Sequence, residues 1–320
     1  MMDNIISIFI VLLNLILSFG QKLSCTYANN EEFEYSCYMT IQNPDGLNNF
    51  TDISGEHLAG RSDYDVQNII RTISSKSINV PSIICNKFQN TKTFAFGSIG
   101  VERVDENTFD GCKELTRLWL YDNKISYLPK NIFDPLVNLE DLAISNNKIS
   151  SISIEWFTNL VNLEVLYLHN NQIEDIPKKV FRSLKQLSKL YLTSNNLKVI
   201  HSESFGMLPN LKEIYIYINQ INAIDERMID LTGVEIIDMN DNVCASGRII
   251  DDSATRQSMR NALQRCFDNY KALFPETTTN PIATSFQTIN GESNLPKGCF
   301  DSYSDEKGCS LQVENERLSK

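Results

Sequence analysis

Apolar residues recur at a fixed spacing through the middle of the chain. From residue 91 to residue 242, leucine or a similar side chain returns every 24 positions, and each unit reads L-x-x-L-x-L-x-x-N-x-I-x-x-I-x-x-x-x-F-x-x-L-x-x. Periodicity of this length indicates a repeat architecture, in which each unit packs against its neighbours. One column of the pattern is polar and contains Asn123, Asn147, Asn171, Asn195 and Asn219.

The beginning of each unit predicts a short β-strand. Leu118 and Leu120 are two residues apart, so both side chains point to the same face of a strand. The later apolar positions of the unit are expected to return along the far side of that face. Stacked units then form a parallel sheet over a continuous core, and the asparagine amide is expected to bond backbone groups where the chain leaves the strand.

The unit resembles the leucine-rich repeat in its 24-residue form, and the resemblance covers about half of the chain. It implies an α/β solenoid of horseshoe shape whose parallel sheet lines the concave side. We assign the repeats to residues 67–243, including a weak first unit around Ile70 to Phe88. Because a solenoid exposes its core at both ends, residues 21–66 are predicted to form an N-terminal cap and residues 244–274 a helical C-terminal cap.

Cysteine positions fit the predicted caps. Cys25 and Cys37 bracket a segment with the composition of a β-hairpin, and we predict a disulfide between them. Cys85 and Cys112 are expected on the convex side of neighbouring units. These two residues either form a disulfide, or Cys112 is a small buried residue in a leucine column.

The C-terminal cap is predicted to be a single helix held by a disulfide. Cys244 follows the last strand and Cys266 lies in the predicted helix, so a bond between them would hold the helix over the open end. The apolar residues with helical spacing are Met259, Leu263, Cys266, Phe267 and Tyr270. Residues 275–320 are rich in Thr, Ser, Asn and Pro and predict a flexible tail, in which Cys299 and Cys309 would close a small loop.

The N-terminal residues predict export. Ile5 to Leu17 form an apolar run followed by Ser18-Phe19-Gly20, which is typical of a secretory signal cleaved after Gly20. A membrane-spanning helix would need about 20 apolar residues. The missing Lys and Arg before the run depart from the usual signal pattern. We expect a secreted protein without a membrane anchor, with disulfides and with glycosylation at Asn49 in the sequon Asn-Phe-Thr.

Composition argues against several functions. The formal charge is −11, with 29 Lys and Arg against 40 Asp and Glu, which disfavours nucleic acid as a partner. The three histidines are far apart and have no metal-ligand spacing, so neither a metal nor a cofactor is expected. Nucleotide-binding and hydrolase motifs are absent from the sequence. We therefore expect a protein that is not an enzyme.

The outward-facing strand positions carry the candidate ligand-binding residues. With strands about 4.8 Å apart, the column from Trp119 to Tyr215 would present about 19 Å of aromatic-rich surface. Tyrosine and tryptophan are enriched where proteins bind partners, but aromatic side chains also suit strands and could serve only to stabilise the sheet. The candidate residues are Arg117, Trp119, Tyr121, Tyr167, His169, Tyr191, Tyr215 and Tyr217.

The order of signal, cysteine-containing cap, repeats and helical cap resembles that of secreted arthropod leucine-rich-repeat proteins and of Toll-like receptor ectodomains. This resemblance implies recognition of a protein or microbial surface ligand, in innate immunity or cell adhesion. A second hypothesis is an extracellular matrix protein that assembles with other copies, similar to the cores of small leucine-rich proteoglycans. The sequence leaves the ligand and the oligomeric state open.

Overall fold

We analysed a computed structural model of the chain. The structure describes residues 21–29, 35–41, 50–71, 78–206, 208–250 and 252–275. The predicted signal at residues 1–20, the sequon at Asn49 and the pair Cys299 and Cys309 lie outside the described residues, as do residues 276–320 of the predicted tail.

Short strands dominate the described residues. The strands are β1 (Gln21–Asn29), β2 (Tyr35–Ile41), β3 (Phe50–Ser54), β4 (Asn68–Arg71), β5 (Ile78–Asn79), β6 (Thr93–Ala95), β7 (Val101–Arg103), β8 (Arg117–Trp119), β9 (Asp141–Ala143), β10 (Val165–Tyr167), β11 (Lys189–Tyr191), β12 (Val199–Ile200), β13 (Glu213–Tyr215), β14 (Ala223–Ile224), β15 (Ile236–Asp238) and β16 (Arg248–Ile250). The α-helices are α1 (Ile84–Lys87), α2 (Ser253–Ala262) and α3 (Gln264–Leu273), and the 3₁₀ turns are Asp63–Asp65, Ile154–Phe157, Ser202–Ser204 and Glu226–Asp230.

The strands that begin the repeats form one parallel sheet, as the sequence predicts. In the described part of the chain the sheet has 12 strands in the order β16-β15-β13-β11-β10-β9-β8-β6-β4-β2-β1-β3. Neighbouring repeats pair in register, so Leu166 of β10 lies opposite Leu142 on one side and Leu190 on the other. All three side chains are fully buried. The chain is therefore a leucine-rich-repeat solenoid.

Phenylalanines fill the far side of the core. Phe157 and Phe181 have ring centroids 5.5 Å apart, and Phe181 and Phe205 are 6.1 Å apart. Each ring is at most 2% exposed. Five successive units, from that of Phe109 to that of Phe205, each supply one ring to this column. A single unit would leave the faces of its ring in water, and stacking is what buries them.

A ladder of buried asparagines closes the turn that follows each strand. The Asn171 amide donates from Nδ2 to the carbonyls of Ile144 at 3.0 Å, Leu168 at 3.1 Å and His169 at 3.4 Å. Its Oδ1 accepts from the backbone N–H of Ile149 at 3.0 Å. The amide thus satisfies backbone groups of its own unit and of the preceding unit, and links the two.

The N-terminal cap continues the sheet of the solenoid. Strands β1 and β2 are antiparallel and joined by the disulfide Cys25–Cys37, while β2 also pairs in parallel with β4. In the first unit, Ile69 lies in the inward column and pairs with Phe94. Ile69 and Phe94 are 25 residues apart in the sequence, whereas Phe94 and Leu118, the equivalent residues of the next two units, are 24 apart.

Polar contacts hold the N-terminal cap together. The His57 imidazole contacts the Tyr35 hydroxyl through Nδ1 at 3.0 Å and Asp63 Oδ1 through Nε2 at 2.9 Å. Its ring also stacks on Tyr27 at 4.0 Å. Further along the chain, Cys85 and Cys112 form a disulfide, which decides between the two alternatives that the sequence left open.

The C-terminal cap differs from the single predicted helix. Two helices, α2 and α3, follow one another and are separated at Leu263, which is fully buried. Before these helices, the chain forms the short strand β16, which the sequence did not predict. This strand pairs antiparallel with β15 and ends the sheet. The disulfide Cys244–Cys266 joins the last repeat to α3.

His201 connects the C-terminal cap to the solenoid. Its Nδ1 lies 2.9 Å from the Tyr270 hydroxyl of α3, and its ring packs against Tyr270 and Phe274. Burial lowers the pKa of the His201 imidazole, so the neutral form is favoured at this contact. The charged residues that act on the imidazole are Asp175, Lys178, Glu203 and Asp225.

We expect Asn171→Ala to lower the free energy of unfolding by about 3 kcal/mol, because several buried backbone groups lose their partner at once. Urea denaturation followed by circular dichroism measures the change. Gln172→Ala is the matched control: Gln172 is exposed, and its replacement should change stability by less than about 0.5 kcal/mol. Equal midpoints for Asn171→Ala and the parent protein would contradict the role of the ladder.

We also expect stability to fall with acidification through His201. Below pH 6.5, the ordinary pKa, His201 of the unfolded chain takes up a proton that the buried imidazole resists, so acid favours unfolding. Denaturation midpoints measured from pH 7.5 to pH 5.5 should decline less steeply in His201→Gln than in the parent. Parallel pH profiles would show that His201 does not contribute.

Candidate functional site on the concave face

The concave face is the outward side of strands β8, β9, β10, β11 and β13 together with the residues that follow each strand. All eight predicted site residues lie on this side, and none is in the core. Arg117 and Tyr121 are exposed, and the other six are partly exposed: Trp119, Tyr167, His169, Tyr191, Tyr215 and Tyr217. Strand alternation produces this placement, because Leu118, Leu166 and their equivalents occupy the opposite side.

Three tyrosines form a stacked row, which we call the tyrosine ladder: Tyr167, Tyr191 and Tyr215. The ring centroids of Tyr167 and Tyr191 are 4.8 Å apart with an interplanar angle of 11°, and those of Tyr191 and Tyr215 are 4.9 Å apart at 4°. The spacing equals the distance between strands of a sheet. Because the inner ring faces contact each other, a ligand would meet mainly ring edges and hydroxyl groups.

Charged side chains hold one end of the tyrosine ladder. The Tyr215 hydroxyl donates to Glu213 Oε2 at 2.9 Å, and Glu213 forms an ion pair with Lys189 at 3.0 Å. Burial raises the pKa of the three ladder hydroxyls, so they remain protonated and able to donate hydrogen bonds at neutral pH. Such fixed aromatic groups offer contact area at a small cost in conformational entropy.

His169 lies beside the tyrosine ladder. Its ring forms T-shaped contacts with the rings of Tyr167 and Tyr191, with centroid distances of 6.1 and 6.4 Å. Burial lowers the pKa of His169, which favours a neutral imidazole. The residue therefore adds a polar, uncharged ring to this part of the concave face.

Trp119 does not continue the tyrosine ladder. Ala143 occupies the intervening strand position and offers no ring, so the aromatic surface is interrupted within the 19 Å expected from the sequence. The Trp119 indole instead reaches towards the next strand, where its Nε1 donates to Asp141 Oδ1 at 3.2 Å. The concave face therefore has two chemically different parts, one around Trp119 and one along the ladder.

Tyr121 depends on a glycine in the preceding unit. A Cβ atom built on Gly97 would lie 2.6 Å from the Tyr121 ring, so the ring occupies the space that the missing side chain leaves. Any larger residue at position 97 would displace the ring from this place.

Three charged residues of the concave face are absent from the predicted site residues. Asp141, Lys189 and Glu213 contact or flank the aromatic residues directly. Each is two residues before a predicted aromatic or alanine position and therefore shares its face. That spacing was the available signal, although it does not indicate which of these charges are paired.

The described residues contain neither a metal-binding cluster nor a membrane-crossing helix. Among them, no group of three or more His, Cys, Asp or Glu side chains is arranged to hold a metal ion. No helix in that part of the chain has the length and apolar character needed to cross a membrane.

Comparison with known families identifies the repeats. The family model described as "Leucine rich repeat" matches residues 98–149, 137–197 and 185–243. Residues 98–243 are therefore similar to this family, and they make up a little less than half of the chain.

Two solved structures with this fold are similar to the chain. One, described as "Crystal structure of LRIM1/APL1C complex", contains a chain 20% identical with a TM-score of 0.51, and the match covers 64% of this chain and 36% of that chain. The other, "Crystal Structure of APL1 leucine-rich repeat domain", is 19% identical with a TM-score of 0.50, and the match covers 69% and 53%. This chain thus spans less than two thirds of either one, and the likeness shows the fold alone. The comparison with curated proteins finds no significant match.

One turn beside the concave face is strained. In each repeat, the residue before the buried asparagine has a positive φ, and at Ile218 that angle is 54°. A β-branched side chain disfavours this conformation, which asparagine and aspartate tolerate. The Ile218 side chain is also 49% exposed, so it gains little burial in return. The equivalent residues are Ser98, Asp122, Asn146, Asn170, Ser194 and Asp241.

We expect Ile218→Asn to raise the free energy of unfolding by about 1 kcal/mol, because asparagine relieves the strain at this turn. Chemical denaturation measures the difference. Ile218→Val keeps the branched Cβ and should leave stability close to that of the parent. A loss of stability in Ile218→Asn would show that the isoleucine is favoured by contacts that outweigh its backbone strain.

Proposed function

We propose that the protein is a secreted, non-enzymatic binding protein that recognises a protein or microbial surface ligand through the concave face. The setting we propose is innate immunity or cell adhesion. The observation that carries the proposal is the tyrosine ladder, whose parallel rings form a preorganised, partly exposed surface on a sheet. A surface of this kind loses little side-chain entropy when a partner binds.

The arrangement of the concave face supports binding more than catalysis. Its ionisable groups include an ion pair, Lys189–Glu213, that neutralises two of the charges, and a histidine whose burial disfavours the protonated form. These groups hold rings in place rather than converge on a reacting atom. One of the structures that share this fold is a complex, LRIM1/APL1C, and we extend from it only the idea of a protein partner.

Export of the protein is part of the proposal. Its support is the apolar N-terminal run of the sequence and the three disulfides Cys25–Cys37, Cys85–Cys112 and Cys244–Cys266, because disulfides persist mainly in oxidising compartments. Glycosylation at Asn49 belongs to the same proposal and would appear as a mass difference removed by a glycosidase.

The test replaces Trp119, Tyr167, Tyr191 and Tyr215 together by alanine. We expect this variant to lose capture of partners from the native extracellular fluid, because the ring edges and hydroxyls that form the contact are gone. Circular dichroism and the position of the unfolding transition verify that the solenoid is intact. The control variants are Tyr64→Ala and Tyr127→Ala, which remove two tyrosines that are each 69% exposed and lie outside the concave face.

Two outcomes would contradict the proposal. Capture that survives in the quadruple variant would exclude the concave face as the binding surface. Concentration-dependent self-association of the parent protein in sedimentation, without capture of another molecule, would favour the matrix-assembly hypothesis instead.

A further inference from the structure

Asp141 is a partly buried carboxylate on the concave face that lacks an ion pair. It lies on β9, where Oδ1 accepts the Trp119 indole N–H at 3.2 Å. No Lys or Arg among the described residues forms an ion pair with it. Glu213 lies in the same outward column, and its carboxylate pairs with Lys189 at 3.0 Å. The two carboxylates therefore differ in that only Glu213 has a cation in contact.

Arg117 is a candidate cation for Asp141 but forms no ion pair with its carboxylate. It lies opposite Asp141 in the pairing of β8 with β9, and its side chain is exposed. The positive charge of Arg117 and the indole N–H both lower the pKa of Asp141, but burial acts more strongly, and the pKa is raised overall. Arg117 and the indole N–H therefore offset the burial of the Asp141 carboxylate only in part.

Aromatic groups border the same carboxylate. The Trp119 indole is hydrogen-bonded to it, and Tyr167 lies on the neighbouring strand β10, opposite Ala143 and one outward position along from Asp141. Ala143 lies between the two aromatic positions and leaves out a third ring. A carboxylate beside aromatic rings attracts cations in two ways, by charge-assisted hydrogen bonds and by cation–π interaction.

We propose that Trp119, Asp141 and Tyr167 form a binding point for an arginine or lysine side chain of a protein ligand. This inference rests on the proposed function and specifies its ligand as a protein with a basic side chain at the contact. The chain carries a formal charge of −11, so its long-range field would also favour a basic partner. Guanidinium fits the point best, because its planar donors can bond a carboxylate while its face lies against a ring.

The test titrates the full chain with N-acetyl-arginine methylamide and, separately, with N-acetyl-citrulline methylamide, which has a similar shape without the charge. The readout is the indole N–H resonance of Trp119 in NMR spectra. The other tryptophan, Trp156, is 4% exposed and serves as an internal reference. We expect a saturable shift with the arginine probe and a response at least about tenfold weaker with the citrulline probe.

The variant Asp141→Asn removes the charge but keeps an oxygen that can accept the indole N–H. We expect it to weaken binding of the arginine probe by about tenfold. Glu213→Gln is the matched control, because it removes a charge from the same column where a cation is already paired, and the response at Trp119 should persist. Unchanged denaturation midpoints verify that both variants fold.

Equal responses to the two probes, or an unchanged titration in Asp141→Asn, would overturn the inference. These results are distinguishable from failure of the proposed function, because the probe titration requires no natural partner. The quadruple alanine variant could lose partner capture while Asp141→Asn captures the partner normally. That result would support the concave face as the binding surface and would contradict the cation-binding point.

Discussion

The need to satisfy buried backbone groups at the turn after each strand underlies the structure. The chain leaves the sheet next to the core, where water cannot reach the carbonyl and amide groups. From Asn123 onwards, one asparagine amide per unit bonds up to three carbonyls and one or two N–H groups, and these groups belong to two successive units. The same amide therefore fixes the turn within a unit and the register between units. The apolar columns can align only because this polar column is aligned as well.

The concave face inherits its geometry from that register. Parallel strands in register place equivalent side chains one strand spacing apart, which is also a suitable distance for rings to stack. Tyr167, Tyr191 and Tyr215 accordingly stack, and in doing so they cover much of one another. Stacking thus stabilises the sheet and organises the surface at the same time. Ala143 interrupts the row, and this single small residue separates the ladder from the pair Trp119 and Asp141.

Much of the fold could be predicted because a repeated pattern reports the same local structure many times. The inward leucines, the asparagine column and the parallel sheet all follow from positions 24 residues apart. The ends of the solenoid were less predictable, because each end structure occurs once. The first unit is paired at an offset of 25, the cap helix is divided at Leu263, and β16 is too short to show an alternating pattern.

Individual side-chain partners on the concave face were also beyond the sequence. Alternation indicates which side a residue occupies, but not the direction in which a long side chain leans. Trp119 leans towards Asp141, and Tyr121 occupies the space over Gly97. Those directions depend on which neighbours are small, and that is known only once adjacent strands are paired.

The in-register 24-residue offset has a consequence for how such a chain can change in length. Each coil from Leu163 to Gln186 or from Leu187 to Asn210 contacts mainly the coils on either side of it, and its edges match those of its neighbours. Duplication or deletion of one whole coil would leave both ends able to join. The solenoid could therefore gain or lose one rung of the stacked aromatic row while its terminal structures remain untouched, so the footprint available to a partner is adjustable in steps of one strand.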